Sequence, residues 1–191
     1  MEESAGIKLS SHIIHSGKVF TAVTEHIQLP TGHQVELDII RHKRSVVLLP
    51  MPDSRHVILV RQYRYVIDRW IWELPAGTVE NNENPNNAAY RECAEETGLA
   101  PTSIEHLGTF FPTPGYCDEE MLFFRLTGLS PAPKVELDAD ELLEPHTFTL
   151  DQARRLMSEH KIIDMKTALG LTFVQQKNQV TERSHDEDLH R

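Results

Sequence analysis

Cysteine and long apolar runs are both scarce in this sequence. Its 191 residues include only Cys93 and Cys117, too few for a disulfide framework, so a reducing cytoplasm is the expected location. No apolar segment approaches the roughly 18 residues that a membrane helix needs. The first residues, MEESAGIKLSS, lack the basic and apolar regions of a secretory signal. We therefore expect a cytoplasmic protein without a membrane partner.

Positive charge is scarce as well. Nineteen lysines and arginines stand against 29 aspartates and glutamates, which gives a formal net charge of −10. A chain this acidic is not expected to bind nucleic acid broadly through phosphate contacts. An anionic substrate would have to be met locally, by arginines or by a bound metal. The length and the hydrophobic fraction of 39% suit one domain with a real core.

The most informative segment covers residues 77–99, and its second half predicts a helix. Asn84 is a preferred N-cap residue, Pro85 suits the first helical position, and Gly98 supplies a left-handed residue at the end. Three glutamates at spacing i, i+3 and i+4 share one face of this helix: Glu92, Glu95 and Glu96. Like charges at such spacings repel, so a hard divalent cation is the natural companion. The alternative is a solvated acidic face.

The spacing of the whole segment favours the metal interpretation. Five residues separate Gly77 from Glu83, and seven more separate Glu83 from Arg91. The remaining fixed positions are Glu92, Cys93, Glu95, Glu96, Gly98 and Leu99. This pattern resembles the Nudix box, G-x5-E-x7-R-E-U-x-E-E-x-G-U, with cysteine where Ile, Leu or Val is usual. The resemblance implies metal-assisted attack of water on a diphosphate, with Mg²⁺ or Mn²⁺ as the cofactor.

The residues before the box, RQYR and WELPAG, resemble the Nudix branch that hydrolyses ADP-ribose and other nucleoside diphosphate sugars. The resemblance implies that the backbone carbonyl of Ala76 joins Glu92, Glu95 and Glu96 around the metal. It also implies that Arg64 holds the substrate. The other predicted substrate residues in this part of the chain are Arg61, Glu73 and Gly77. Arginines that are simply solvated at a strand edge are the alternative.

Two later loops supply candidates for the general base. In the loop PTPGYCDEE, Pro114 resembles a proline of the ADP-ribose branch, and Pro114 and Gly115 are predicted to bind the substrate. Glu119 resembles a carboxylate that faces the site in that branch. Turn chemistry alone also explains the proline and the glycine. In the acidic loop after Lys134, the resemblance implies that Glu141 is the base, with Glu119 as second choice. A solubilising acidic run is the alternative for that loop.

Two box residues complete the predicted catalytic set. Glu96 is expected to act through the metal. By the family pattern, Arg91 orients a carboxylate of the box, with Glu83 as its ion-pair partner.

The resemblance implies an α+β fold, the Nudix α/β/α sandwich with a mixed β-sheet, over residues 43–176. Residues 1–42 are expected to form a small antiparallel β-sheet, and the resemblance implies that this sheet makes the protein a homodimer. Residues 177–191 are polar and are expected to be a disordered tail. Residues 45–50 and 56–60 are continuous apolar runs typical of buried central strands. Asp151 and Asp164 are the predicted N-caps of two later helices.

The predicted function is Mg²⁺-dependent hydrolysis of ADP-ribose, or of a related nucleoside diphosphate sugar, to AMP and the sugar phosphate. Two alternatives remain open. The first is a Nudix enzyme for another substrate, such as GDP-mannose or coenzyme A. The second is a non-catalytic Nudix module that binds a nucleotide sugar, although the intact glutamate set argues against it.

Overall fold

The computed structural model describes residues 5–133 and 142–174. The chain divides into two compact units. The N-terminal unit contains Met1–Ser45 and Phe110–Met121, and the box unit contains Val46–Thr109 and Leu122–Arg191. No helix in the described part of the chain is long and apolar enough to cross a membrane.

The N-terminal unit is built on a three-stranded antiparallel sheet. Strands β1 (Ile7–Ser16), β2 (Phe20–Gln28) and β3 (Gln34–His42) pair in that order. The turn between β2 and β3 contains Gly32, whose positive φ of 87° suits a residue without a side chain. The small antiparallel sheet predicted from the sequence is confirmed.

The box unit combines short strands with helices. The strands are β4 (Ser45–Pro50), β5 (His56–Arg64), β6 (Arg69–Glu73), β7 (Ala76–Thr78), β8 (Leu99–Ala100), β9 (Ser103–Phe110), β10 (Met121–Thr127), β11 (Ser130–Pro131) and β12 (Leu143–Thr149). They form sheets of order β7-β4-β10-β9 and β12-β5-β6, and β8 pairs with β11. A short 3₁₀ turn, Tyr65–Ile67, connects β5 to β6. The helices are α1 (Pro85–Thr97), α2 (Leu150–Ser158) and α3 (residues 165–174).

The core lies between the central strands and helix α1. Every residue of β4 is buried, and so are residues 57–60 of β5, as their continuous apolar sequences predict. Helix α1 packs on a cluster that includes Val46, Leu48 and Phe124. Cys93 is fully buried in this cluster, and burial raises the pKa of its thiol to about 11. The cysteine of the box is therefore a small core residue.

The two later helices differ in how well their N-caps were predicted. Asp164 caps α3, because its Oδ2 accepts a hydrogen bond from the backbone N–H of Thr167 at 2.9 Å. Asp151 does not cap α2, so that prediction is wrong. Thr149 is the N-cap and forms a reciprocal capping box with Gln152.

Candidate active site

Helix α1 begins and ends where the sequence predicts. The side chain of Asn84 accepts a hydrogen bond from the backbone N–H of Asn86 at 2.9 Å, and Gly98 ends the helix with a φ of 70°. Glu92 and Glu96 are buried, with 8% and 5% of their surface exposed. A solvated acidic face is therefore the wrong interpretation of this helix. Burial of two carboxylates requires compensating partners.

Strand β7 and helix α1 meet at Gly77. A Cβ atom added to Gly77 would overlap the carboxylate of Glu92, so the carboxylate occupies the space that any other residue would need. One residue earlier, the backbone N–H of Ala76 donates to Oε1 of Glu96 at 3.3 Å. The carboxylates of Glu92 and Glu96 thus converge on the backbone segment Ala76–Gly77.

The segment before Gly77 is tied to the core of the box unit. The carbonyl of Pro75 accepts a hydrogen bond from the backbone N–H of Leu48 on β4 at 2.8 Å. Leu74 is almost completely buried. The position of the Ala76 backbone is therefore set by β4 as well as by α1.

Arg91 connects three glutamates of the box, Glu83, Glu92 and Glu95. Its Nε and Nη2 donate to the two oxygens of Glu83 at 3.1 and 3.0 Å. Its Nη1 donates to Glu92 at 2.7 Å and to Glu95 at 3.0 Å. The hydrogen bond to Glu83 raises the pKa of Arg91, partly offset by burial, and it lowers the pKa of Glu83. The predicted ion pair between Arg91 and Glu83 is present.

The donor set at this site suits a hard divalent ion. It consists of oxygen atoms from the predicted metal residues Ala76, Glu92, Glu95 and Glu96, which is the ligand chemistry of Mg²⁺ and Mn²⁺. Within residues 5–133 and 142–174, no three His, Cys, Asp or Glu side chains are close enough to hold a metal by themselves. Mg²⁺ does not need such a cage, since it usually keeps several waters and binds only one or two carboxylates. The residues present therefore fit the ion.

A second charged cluster joins Arg64, the last residue of β5, to Glu73, the last residue of β6. Arg64 donates from Nε and Nη2 to the two oxygens of Glu73, at 2.6 and 2.7 Å. Lys166 donates to the same carboxylate from helix α3. Only 1% of Glu73 is exposed. Burial alone would raise the pKa of Glu73, but Arg64 and Lys166 hold it below its usual value.

The two predicted substrate arginines lie in different surroundings. Arg64 is engaged with Glu73, so it is not a simply solvated strand-edge residue. Arg61 is exposed, and its guanidinium lies 5.1 Å from the ring centre of Trp70. Sequence reasoning missed Lys166, because the sequence around it shows only an N-cap and a helix. Its partner Glu73 is 93 residues away.

The loop with Pro114, Gly115 and Glu119 belongs to the N-terminal unit. Oε1 of Glu119 accepts a hydrogen bond from the hydroxyl of Ser45 at 2.6 Å, and Nδ1 of His42 lies 3.7 Å from the same oxygen. Only 16% of the Glu119 side chain is exposed. Glu119 is thus held by neighbours rather than solvated. Glu141, the first choice for the base, lies outside the described residues.

The loop is attached to strand β3 by its neighbour Asp118. The carboxylate of Asp118 accepts from the backbone N–H of His42 at 2.8 Å and from Arg41 at 3.0 Å. Arg41 also contacts the buried Glu25 of β2 at 2.8 Å. Sequence reasoning missed this chain of contacts, since Arg41 and Asp118 are 77 residues apart.

Comparisons with known proteins give the family that the sequence matches. A family model described as the NUDIX domain matches residues 41–167. The chain is 36% identical over 165 residues to an ADP-ribose pyrophosphatase of Bacillus subtilis, covering 86% of this chain and 89% of that protein. It is 33% identical over 163 residues to a methanol dehydrogenase activator of Bacillus methanolicus, covering 85% and 88%. It is 31% identical over 168 residues to an ADP-ribose pyrophosphatase of Mycobacterium tuberculosis, covering 87% and 81%.

One solved structure gives an independent comparison of the fold. A crystal structure of an ADP compounds hydrolase superposes with a TM-score of 0.82 at 20% sequence identity. The match covers 96% of this chain and 99% of that chain. The predicted α+β sandwich with a mixed sheet is therefore confirmed.

Proposed function

The chain belongs to the Nudix family and is a Nudix pyrophosphohydrolase, and we propose that it hydrolyses the diphosphate bond of ADP-ribose or of a related nucleoside diphosphate sugar. The products would be AMP and ribose 5-phosphate, or the matching sugar phosphate. The observation that carries the proposal is the convergence of two buried box glutamates on Ala76–Gly77. The similarity to the ADP-ribose pyrophosphatases of Bacillus subtilis and Mycobacterium tuberculosis supports the choice of substrate.

The proposed cofactor is Mg²⁺, with Mn²⁺ as a substitute. The carbonyl of Ala76 and the carboxylates of Glu92, Glu95 and Glu96 would hold it. When bound, such an ion offsets the charge of the diphosphate and makes water a better nucleophile. Arg91 donates hydrogen bonds to Glu92 and Glu95 and holds both carboxylates in place.

Arg64 and Arg61 are proposed to bind the diphosphate. The Nη1 group of Arg64 makes neither of the two bonds to Glu73, so it is available for a phosphate oxygen. Glu73 orients Arg64 through these two hydrogen bonds. Local cations of this kind are needed because the chain as a whole is acidic. Gly77, Pro114 and Gly115 remain proposed substrate-site residues on the resemblance.

The proposed reaction is tested by incubating the protein with ADP-ribose, GDP-mannose and coenzyme A in separate reactions. We expect AMP and ribose 5-phosphate from ADP-ribose with Mg²⁺, and no product after EDTA treatment. Chromatography with phosphate-specific detection measures the products. Faster release from GDP-mannose or coenzyme A would contradict the substrate assignment. Binding of ADP-ribose without any cleavage would indicate the non-catalytic module instead.

We also propose that the protein is a homodimer formed through its N-terminal strands. All ten residues of the edge strand β1 are exposed, and they include Ile7, Leu9, Ile13 and Ile14. An exposed apolar edge strand is a template for pairing with another chain. A cytoplasmic location remains an expectation, supported by two cysteines that are both free.

Analytical ultracentrifugation tests the dimer. We expect twice the monomer mass for the wild-type protein and the monomer mass for a variant with Ile13→Lys and Ile14→Lys, because two charges would be buried without partners. Val66→Lys is the matched control, since Val66 is 95% exposed on the 3₁₀ turn of the other unit. A monomeric wild-type protein, or dissociation caused by Val66→Lys alone, would refute the proposed interface.

A further inference from the structure

The first turn of α3 is fastened to the end of strand β6. The hydroxyl of Thr167 accepts a hydrogen bond from the backbone N–H of Leu74 at 2.7 Å and donates to Asp164 at 2.5 Å. Thr167 is fully buried. A Cβ added to Gly170 would overlap the side chain of Leu74, so α3 lies very close to this strand. The start of α3 is therefore a fixed support for the segment that leads to Ala76.

Lys166 lies on this fixed turn and is almost buried. Its ammonium group contacts the carboxylates of Glu73 and Asp164, the latter at 3.0 Å. Only 10% of the lysine side chain is exposed, against 60% for Lys161, which forms an ordinary surface ion pair with Glu159. A lysine is rarely buried unless it is paired. The pairing to two carboxylates accounts for its burial here.

The charges around Lys166 balance. Arg64 and Lys166 are positive, Glu73 and Asp164 are negative, and all four are linked by hydrogen bonds. Without Lys166 the group would carry a net charge of −1. Arg64 would then face Glu73 without a competing cation, and Glu73 would draw the guanidinium away from a diphosphate.

We propose that Lys166 is a positioning residue for substrate binding: it compensates Glu73, so that Arg64 can direct its remaining N–H donors to a diphosphate oxygen. Lys166 acts through Glu73 and does not touch the substrate. The proposal rests on the proposed function, since it gives Arg64 the diphosphate as its ligand. It extends the site to helix α3, which lies outside the Nudix box.

A double-mutant cycle between Lys166 and Arg64 tests this with ADP-ribose and Mg²⁺. Lys166→Met is expected to raise KM about 10-fold with kcat changed less than about 2-fold, because uniform binding is lost. If Lys166 acts through Arg64, the double variant will have the KM of Arg64→Met alone. Lys166→Arg should restore most of the binding, and Lys161→Met is the matched control.

Three kinetic outcomes would overturn the proposal. The first is an unchanged KM for Lys166→Met. The second is an equal rise in KM for Lys161→Met. The third is a KM of the double variant that rises by the product of the two single-variant fold-changes. Thermal unfolding followed by circular dichroism identifies a variant that does not fold. In that case Lys166→Gln, which keeps a polar side chain of similar length, replaces Lys166→Met.

A second measurement does not depend on activity. The Nε–H of Arg64 is hydrogen-bonded to a buried carboxylate, so it should give a slowly exchanging NMR signal in the substrate-free protein. We expect slower exchange of this proton in Lys166→Met, because Glu73 would then hold the Arg64 guanidinium more tightly, and no change in Lys161→Met. If wild-type protein releases no AMP from ADP-ribose, the proposed function fails, and this comparison alone decides whether Lys166 positions Arg64. Unchanged or faster exchange in Lys166→Met would then overturn the inference.

Discussion

Gly77→Ala is expected to lower kcat/KM for ADP-ribose about 100-fold or more, since misplacing a catalytic group by about 1 Å can cost that much. The added methyl group would overlap the carboxylate of Glu92, which Arg91 holds by a hydrogen bond of 2.7 Å. Glu92 would have to leave its position beside Gly77. Calorimetric titration with Mn²⁺ should show weaker binding, and initial rates should show the loss of turnover.

Gly6→Ala is the matched control for this prediction. A Cβ at Gly6 would meet only the carbonyl of Gln28, at an ordinary distance of 3.4 Å, so metal binding and turnover should stay at wild-type levels. Circular dichroism verifies that both variants fold. If folded Gly77→Ala binds Mn²⁺ and turns over like the wild type, the position of Glu92 beside Gly77 is unimportant for the reaction.

Glu141→Gln is the second prediction with a large expected effect. Because general-base catalysis contributes about 10²- to 10⁴-fold, kcat should fall by about that factor. KM should change little, since the amide keeps the size of the side chain. Glu141 lies outside the described residues, so the assignment depends on its match to the family's loop base. Steady-state kinetics with ADP-ribose measure both constants.

Glu119→Gln tells the two candidate bases apart. Glu119 accepts a hydrogen bond from Ser45 at 2.6 Å, and a glutamine oxygen can accept the same bond. We therefore expect a smaller loss of kcat than for Glu141→Gln. The reverse order would make Glu119 the base, and a wild-type rate for Glu141→Gln would refute our first choice. Glu159→Gln on the surface after α2 is the control for loss of one carboxylate.

Helix α1 shows how far local sequence signals reach. Asn84, Pro85 and Gly98 predict its ends correctly, because capping depends on residues that are adjacent in the chain. Helix α2 shows the same rule applied to the wrong residue. The sequence Thr149-Leu-Asp-Gln152 contains a capping box, and the reciprocal bonds of Thr149 and Gln152 place Asp151 inside the first turn. There its charge still interacts favourably with the helix dipole.

The burial of the box glutamates shows where local signals end. Spacing places Glu92, Glu95 and Glu96 on one face of α1, but it does not say whether that face is solvated. Burial of Glu92 and Glu96 follows from the approach of β7, and that approach requires a glycine at position 77. The need for glycine becomes visible only when the strand and the helix are seen together.

The sequence by itself determined the helix of the Nudix box, its caps, the buried central strands and the family of the protein. These features depend on periodicity and on spacing between near neighbours. Only the tertiary structure decided that Lys166 pairs with Glu73, and that Arg41 holds Asp118. The residues of each pair are far apart in the chain, so their meeting depends on how all the intervening elements pack, and a single sequence carries no local signal for that.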